Sequence, residues 1–423
     1  VAARLRTIAI VGASLAGLRA AEALRERGYE GRLVWIGAEP HEPYDRPPLS
    51  KQVLRGEWEP ERIALARGGL DGLGAELRLG VRAQALDAGA RRLQLADGET
   101  IAFDGLVIAT GAVPRGLPGQ PPLAGVFVLR TLDDALAIRT ALAGSPRVAV
   151  VGGGFLGAEV AASCRQRGLD VTLIEALGQP LELALGSELG ALFAGLHRDH
   201  GVQLASGAPV AALEGAGGAA AGPLGDNAGG AAAGPLGDKT ARVERVRLAD
   251  GRTIAADVVV VAIGVRPATD WLEGSGLTLR DGVVCDARCQ AAPGIVAAGD
   301  VARWPHPRHG ELRIEHWSHA AEQAAAAVVT LLDGAAAPPF APVPYVWSDQ
   351  YDTTLVVAGR PRAGDELRVI EGSLAERRFL ALFGRAGKLT GAAGIGLARR
   401  LLPWRRALAE DLSFAEALAR ARH

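Results

Sequence analysis

The chain carries the same supersecondary unit twice. Thr7–Arg27 (TIAIVGASLAGLRAAEALRER) aligns without a gap to Arg147–Arg167 (RVAVVGGGFLGAEVAASCRQR). Each copy reads as a short apolar run, a glycine-punctuated turn and an alanine-rich helical segment ending at Gly28 or Gly168, followed by a second apolar run, Leu33–Ile36 or Val171–Ile174. Strand, turn, helix, strand is a βαβ unit, because two parallel strands need a crossover between them. A second repeat lies downstream, Leu95–Pro114 (LADGETIAFDGLVIATGAVP) and Leu248–Pro267 (LADGRTIAADVVVVAIGVRP). Its Asp97-Gly98 and Asp250-Gly251 pairs signal hairpin turns, and each copy ends in a buried-type strand, Leu106–Ala109 or Val258–Ala262, that leads to a glycine. Two similar nucleotide-binding modules of α/β class are therefore expected in one polypeptide.

The glycines say what the modules hold. In Gly12-Ala-Ser14-Leu15-Ala16-Gly17 and Gly152-Gly-Gly154-Phe155-Leu156-Gly157, small residues fill all three positions of G-x-G-x-x-G, each after a strand and at the start of a helix. A dinucleotide needs that spacing for a tight turn, for close approach of backbone to pyrophosphate, and for helix–strand packing. The helix N-terminus then faces the anion with free N–H groups. Glu175, closing the strand Val171–Ile174, is placed to accept the adenosine 2′-hydroxyl of NAD and to repel the extra phosphate of NADP. In the first module the corresponding acid is Glu39. Two dinucleotide sites on one chain suggest a held flavin and an exchanging nicotinamide, between which hydride moves without a metal.

Composition excludes several alternatives. Lys and Arg number 46 against 47 Asp and Glu, so the chain is not a generally basic nucleic-acid binder. Cys164, Cys285 and Cys289 are too few for a disulfide framework and suit a reducing compartment. No further cysteine or nearby histidine pair completes a zinc site around Cys285 and Cys289, and no metal is expected. No uncharged apolar run approaches the ~20 residues of a membrane span, and no signal-like segment opens the sequence. A cytoplasmic protein away from membranes is expected. Methionine is absent and aromatics are 4%, which leaves Ala, Val, Leu and Ile to build most of the core. The near-perfect duplication of Ala216–Asn227 as Ala228–Lys239 is rich in Gly and Ala and nearly uncharged, and reads as a flexible surface loop.

The chain resembles the FAD-dependent, NADH-using ferredoxin reductases that serve bacterial cytochrome P450 and Rieske oxygenase systems, of which putidaredoxin reductase is one. The likeness is carried by Pro43-Tyr-Asp-Arg-Pro-Pro-Leu-Ser-Lys51, Ala109-Thr110-Gly111, Leu129-Arg130-Thr131, Ala297-Ala-Gly-Asp300, Arg313-Ile-Glu315-His-Trp317 and Trp347-Ser-Asp-Gln350. The resemblance implies a glutathione-reductase-like architecture of two Rossmann-like domains and a small α+β C-terminal interface domain. The expected boundaries are 1–112 with 245–325 for FAD, 113–244 for NADH including the loop 216–239, and 326–423 for the interface domain. It further implies FAD contacts from Lys51, Arg130, Asp300 and Trp317, with Arg46 in support, Ala83 bracketing the adenine through backbone, and Ala109, Thr110 and Gly111 at the strand-end turn; Gly264, at the matching turn of the second module, is expected to bind cofactor as well. Lys51, one of three lysines, sits where a cation stabilises charge on reduced flavin. By the same resemblance Glu159 is expected to reach the nicotinamide carboxamide, Glu315 to flank the same pocket, and Trp347 to close over the flavin–nicotinamide stack.

Disulfide reductases of similar architecture carry a Cys-x4-Cys pair after the first βαβ unit; here that stretch has no cysteine. A dithiol relay is thereby excluded, and electrons must leave the flavin directly. The expected partner is a [2Fe–2S] ferredoxin docked near Arg399, Arg400, Arg405 and Arg406, with Leu401, Leu402 and Trp404 between them. The alternatives are a rubredoxin or small-acceptor NADH reductase, and a flavin-bound NADH sensor of the apoptosis-inducing type.

Overall fold

The computed structural model describes residues 5–66, 68–119, 123–215 and 241–422; the duplicated segment 216–239 lies outside them. The chain divides into two compact units. Val1–Asp45, Glu61–Val113 and Arg266–Pro344 form the first; Arg46–Pro60, Pro114–Val265 and Tyr345–His423 form the second.

The first unit is built on a six-stranded sheet in the order Gln290–Ala292, Ile295–Ala297, Gly105–Ile108, Thr7–Val11, Arg32–Gly37, Ala75–Leu79. All neighbours are parallel except the first pair. Strand periodicity of two sorts the apolar side chains onto opposite faces. Ile8, Ile10, Leu33, Trp35, Val107 and Val296 pack against the helices Leu15–Glu26 and Trp317–Asp333. Ala9, Val11, Val34, Ile36, Leu106 and Ile108 pack against Leu86, Leu93 and Ile101 of a small antiparallel sheet, Ala83–Asp87, Arg92–Leu95 and Thr100–Ala102. Aliphatic residues do build most of this core, yet Trp35 and Trp304 are among its fully buried members. Each fully buried large side chain contributes about 1.5–3 kcal/mol relative to exposure.

The second unit repeats the plan. Its five-stranded parallel sheet runs Gln203–Ser206, Val171–Glu175, Val148–Val151, Val258–Val261, Val126–Val128. The helix Phe155–Gln166 crosses over between two of these strands. Ala149, Val151, Ile174 and Val259 pack against the antiparallel sheet Val210–Gly215, Val243–Leu248, Thr253–Ala255. Both hairpin turns form as the Asp-Gly pairs predict. Gly98 and Gly251 take φ of +90° and +89°, which favours glycine, and Asp97 and Asp250 each accept from the backbone N–H two residues on, at 3.0 Å. The first helices of both modules end at left-handed Gly28 and Gly168. The C-terminal part is a five-stranded antiparallel sheet, Tyr345–Gln350, Thr353–Gly359, Lys388–Ile395, Arg378–Arg385, Glu366–Ser373, followed by helices Ala398–Ala409 and Phe414–Arg420.

Three expected boundaries move. Val258–Val261 hydrogen-bonds to Val148–Val151, so residues 245–265 stay with the second module instead of returning to the first. Trp317–Asp333 is one helix packed on Leu15–Glu26, so a boundary at 325/326 would cut through it, and the C-terminal part begins at Tyr345. Arg46–Pro60, expected inside the first domain, groups with the second unit, where its short helix Gln52–Arg55 packs on the helices Leu132–Ala141 and Phe155–Gln166. No helix among the described residues is long and apolar enough to cross a membrane.

Candidate functional site

The two glycine turns have the same geometry. Gly12 and Gly152 hold φ of +120° and +104°, and a Cβ on either would meet the carbonyl oxygen of Ala109 or Ala262 at 2.1 and 2.4 Å. A Cβ on Gly17 or Gly157 would lie 1.9 or 1.8 Å from the carbonyl oxygen of Gly12 or Gly152. Each turn is therefore closed by a hydrogen-only contact to its own strand-end turn and another to its own helix. Trp35 Nε1 donates to the Gly12 carbonyl at 3.0 Å and braces the first turn. The helices begin at Leu15 and Phe155 with Ser14 and Gly154 as N-caps; neither cap supplies a side-chain hydrogen bond, and neither first turn contains an acid. A Cβ on Gly154 would meet nothing within 4 Å. Helix N-termini without a side-chain cap and without an acid in the first turn suit a bound pyrophosphate.

The strand ends differ between modules. Glu175 closes its strand with both oxygens engaged, Oε2 accepting from Gly153 N–H at 2.7 Å and Oε1 from Leu177 N–H at 2.8 Å. Each oxygen keeps a lone pair for a hydroxyl donor. Glu39 lies beyond the strand Arg32–Gly37 and accepts from the Tyr44 hydroxyl. Ala109 is buried, Thr110 donates its hydroxyl to the Ala268 carbonyl at 2.9 Å, and Gly111 is left-handed at φ +69°. Gly264, its counterpart, has φ +99° and accepts from Arg115 N–H at 2.9 Å.

Within the second unit the fold joins two residues that the sequence treats separately. Lys51 Nζ lies 2.7 Å from Glu159 Oε2, and both side chains are under a tenth exposed. Glu159 is the fifth residue of the helix Phe155–Gln166, just past its first turn. Lys51 follows the 3-10 turn Pro47–Ser50 and also donates to the Pro47 carbonyl at 3.1 Å. Ser50 Oγ donates to the same Glu159 oxygen at 2.7 Å, and Ser348 Oγ donates to the other at 2.8 Å. Ser163 Oγ donates to the Ser50 carbonyl at 2.6 Å and ties the loop to the helix. Lys51 is thus a cation with its own counterion. A buried pair satisfied by hydrogen bonds is tolerated, whereas either charge alone is costly. Sequence reasoning missed Ser50 and Ser348 as site residues, although both stand inside the quoted motifs; only the fold reveals that both motifs meet at Glu159.

Other expected residues are placed as follows. Arg46 donates to the Arg130 carbonyl at 2.5 Å, and Arg130 N–H donates to Asp134 just ahead of a capping box at Thr131. Trp347 is half-buried on the strand Tyr345–Gln350. In the first unit Trp317 Nε1 donates to Asp45 at 2.6 Å, and Asp45 is a partner the sequence did not single out. Asp300 occupies the short turn Gly299–Val301 and accepts from Arg313 at its carbonyl. Glu315 is exposed and paired with Arg313 at 2.7 Å. Ala83 opens an antiparallel strand.

All three thiols are buried and free. Burial pushes those of Cys164 and Cys289 up to about 12 and raises Cys285 as well, so none supplies the thiolate that disulfide exchange needs. In the helix Ala398–Ala409, Arg399, Arg400, Leu402 and Arg406 are exposed, while Leu401 and Trp404 are buried. The expected basic-apolar patch is therefore mainly basic: helical period turns those two apolar residues inward. Arg405 lies over the Tyr345 ring at 5.3 Å and Arg400 is 3.5 Å from Glu371.

Two family models match the chain, pyridine nucleotide-disulphide oxidoreductase over residues 6–324 and reductase C-terminal over residues 345–422. The chain is 40% identical over 407 residues to the anthranilate 1,2-dioxygenase system ferredoxin–NAD(+) reductase component of Burkholderia cepacia, covering 95% of this chain and 93% of that protein. It is 33% identical to rhodocoxin reductase of Rhodococcus erythropolis over 96% of this chain and 90% of the relative. Among solved structures, the reductase of the covalent putidaredoxin reductase–putidaredoxin complex is similar with a TM-score of 0.86 at 29% identity, over 96% of this chain and 94% of that one.

Proposed function

The chain belongs to the pyridine nucleotide-disulphide oxidoreductase family, and from that premise we propose that it is an FAD-containing ferredoxin reductase. It takes electrons from NADH and passes them one at a time to a [2Fe–2S] ferredoxin that feeds a cytochrome P450 or Rieske oxygenase. The names of its relatives, reductase components of oxygenase systems, support that acceptor. FAD, when bound, supplies the chemistry of accepting a hydride and giving up electrons singly.

The observation that carries the proposal is the pair of equivalent glycine turns, each closed by contacts that only hydrogen allows. Gly12, Ser14, Leu15, Ala16 and Gly17 would hold the FAD pyrophosphate on the helix Leu15–Glu26, with Glu39 on the ribose. Ala83 brackets the adenine, while Arg46, Ala109, Thr110, Gly111, Arg130, Asp300 and Trp317 complete the FAD set. Gly152, Gly154, Phe155, Leu156 and Gly157 would hold NADH, with Glu175 on its ribose and Gly264 at the strand end. Glu159, held by Lys51, Ser50 and Ser348, orients the nicotinamide carboxamide, and Lys51 keeps positive charge near the reacting ring. Glu315 and Trp347 border the nicotinamide. Arg399, Arg400, Arg405 and Arg406 steer an acidic ferredoxin. We place the protein in the cytoplasm, in keeping with three unpaired thiols.

The test is NADH-driven cytochrome c reduction by the purified holoenzyme with a panel of [2Fe–2S] ferredoxins and a rubredoxin. Strong stimulation by a [2Fe–2S] ferredoxin is expected. Rapid flavin reduction with no stimulation by any carrier would overturn the acceptor class in favour of a sensor or small-acceptor enzyme.

A further inference from the structure

Glu159 is the inner end of a longer line of buried polar groups in the second unit. Side chains alternate along Tyr345–Gln350, so Ser348 and Gln350 share one face of the strand. Ser348 and Gln350 are 1% and 0% exposed. Gln350 Nε2 donates to Ser348 Oγ at 3.3 Å, and Ser348 in turn donates to Glu159. Next to Gln350 stands fully buried His197, on the helix Ser187–Asp199, whose Nδ1 is 2.9 Å from the Tyr351 hydroxyl. The Tyr351 ring stacks on exposed His200 at 3.6 Å, where the line reaches the surface.

Two atoms in this line have no hydrogen-bond partner, Gln350 Oε1 and His197 Nε2. Proton counting shows that they belong together. The Glu159 carboxylate beside Lys51 only accepts, so the Ser348 hydroxyl must donate its single proton to it. Ser348 then accepts from the Gln350 amide NH2, which turns the Gln350 carbonyl away as an acceptor in need of a donor. His197 is neutral, because burial pushes it down to about 4, and a neutral ring carries one N–H. Because Gln350 Oε1 lacks a donor, placing that hydrogen on Nε2, the second orphan, meets its need and leaves Nδ1 to accept from the Tyr351 hydroxyl.

We propose that Tyr351, His197, Gln350 and Ser348 form a one-directional hydrogen-bond chain, every donor aimed toward Glu159, that positions the carboxylate for Lys51 and for NADH. His197 Nε2–H completes it by donating to Gln350 Oε1, directly or across one buried water. Donors aligned in one sense polarise one another, which makes the innermost bond to the carboxylate the strongest. The charged and titratable groups around the line are Lys51 at Glu159, His200 beside His197 and Tyr351, and Arg165 acting on Tyr351. Ser348, Gln350 and His197 are positioning residues, since they act through Glu159. The consequence for NADH rests on Glu159 facing the nicotinamide, but the direction of the chain does not.

The experiment therefore has two readouts. The first is ¹H–¹⁵N NMR of histidine-labelled holoenzyme at neutral pH, with the His197 signal assigned by its loss in His197→Gln. An Nε2–H tautomer at His197 is expected; an Nδ1–H tautomer would overturn the proposal. The second is stopped-flow reduction by NADH. Ser348→Ala should weaken NADH affinity about tenfold, the loss of one hydrogen bond to a charged group, with a smaller effect on the limiting rate. Ser348→Thr, which keeps the hydroxyl, should restore it, and Gln350→Leu should shift affinity in the same direction as Ser348→Ala. Where Glu159→Gln itself weakens NADH binding, unchanged affinity in Ser348→Ala would refute the positioning role of the chain, and this variant decides even where Gln350→Leu fails to fold. If the wild type is not reduced by NADH at all, the functional reading fails while the tautomer still judges the chain.

Discussion

Glu159 gathers three donors, from Lys51, Ser50 and Ser348, and leaves almost no surface to water. Breaking such a pair from one side strands a buried charge, at a cost of about 3–5 kcal/mol, whereas neutralising both sides together costs much less. Lys51→Met should accordingly lower the urea midpoint of the holoenzyme more than Lys51→Met with Glu159→Gln, although both variants lose NADH-dependent reduction. A double variant no more stable than the single one would show that the pair is not the buried unit described here. Glu175 supports a second prediction at this scale. Its carboxylate anchors the Gly153 and Leu177 N–H groups, and in the proposed NADH site it also repels a 2′-phosphate. Glu175→Ser with a neighbouring arginine added should raise the NADPH to NADH preference at least tenfold while weakening binding of both. Unchanged preference in steady-state kinetics would remove Glu175 as the discriminator.

At the scale of elements, the two strand–turn–helix units tolerate no side chain at their third glycine. A Cβ on Gly17 meets backbone at 1.9 Å and Trp35 Nε1 at 2.8 Å; one on Gly157 meets backbone at 1.8 Å. Backbone cannot swing away as a flexible side chain does, so the helix must shift off its strand and take its N-terminal N–H groups with it. Gly17→Ala should yield protein with reduced FAD content. Gly157→Ala should retain the yellow holoenzyme and raise the Michaelis constant for NADH at least tenfold. The opposite pattern, read from absorbance and from NADH titration, would exchange the two dinucleotide assignments. The element scale also shows how much was legible. Both βαβ units, both Asp-Gly hairpins and both helix-ending glycines form where the sequence predicts them, because each depends on contacts between residues close in sequence, as in the pairs Thr7↔Arg32 and Val148↔Val171. The strand Val258–Val261 groups with the second module, as the repeat itself implies. Gly105–Ile108 pairs with the first strand of its module, so its copy Val258–Val261 pairs with the first strand of the other.

At the scale of the whole molecule, stability is set partly by buried histidines. Burial pushes His197 down to about 4 and His319 down to about 3. An unfolded chain takes up those protons from about pH 6.5 downward while the folded one does not. Both groups therefore cost nothing above pH 6.5 and withdraw stability as pH falls from there toward 4 and 3, on the order of 2 kcal/mol each by pH 5. The urea midpoint should fall between pH 7.5 and 5, and fall less in His197→Gln; a midpoint independent of pH over that range would contradict the burial of both rings. The exposed arginines belong to this scale too, since steering acts through the field of the entire surface. Arg399→Glu with Arg400→Glu should raise the Michaelis constant for ferredoxin several-fold at low salt and leave reduction by NADH unchanged. Ferredoxin kinetics that do not move would discard this docking face. What the sequence by itself determined was the two dinucleotide modules, their glycine turns and the absence of a cysteine pair, since repeats, spacing and residue type are written locally. The tertiary structure alone decided that Lys51, Ser50 and Ser348 converge on Glu159, that Trp404 turns inward, and that Arg46–Pro60 groups with the second unit. Those contacts join residues about a hundred or more positions apart, or depend on which face a helix buries, and such choices are made by packing energies that no local pattern encodes.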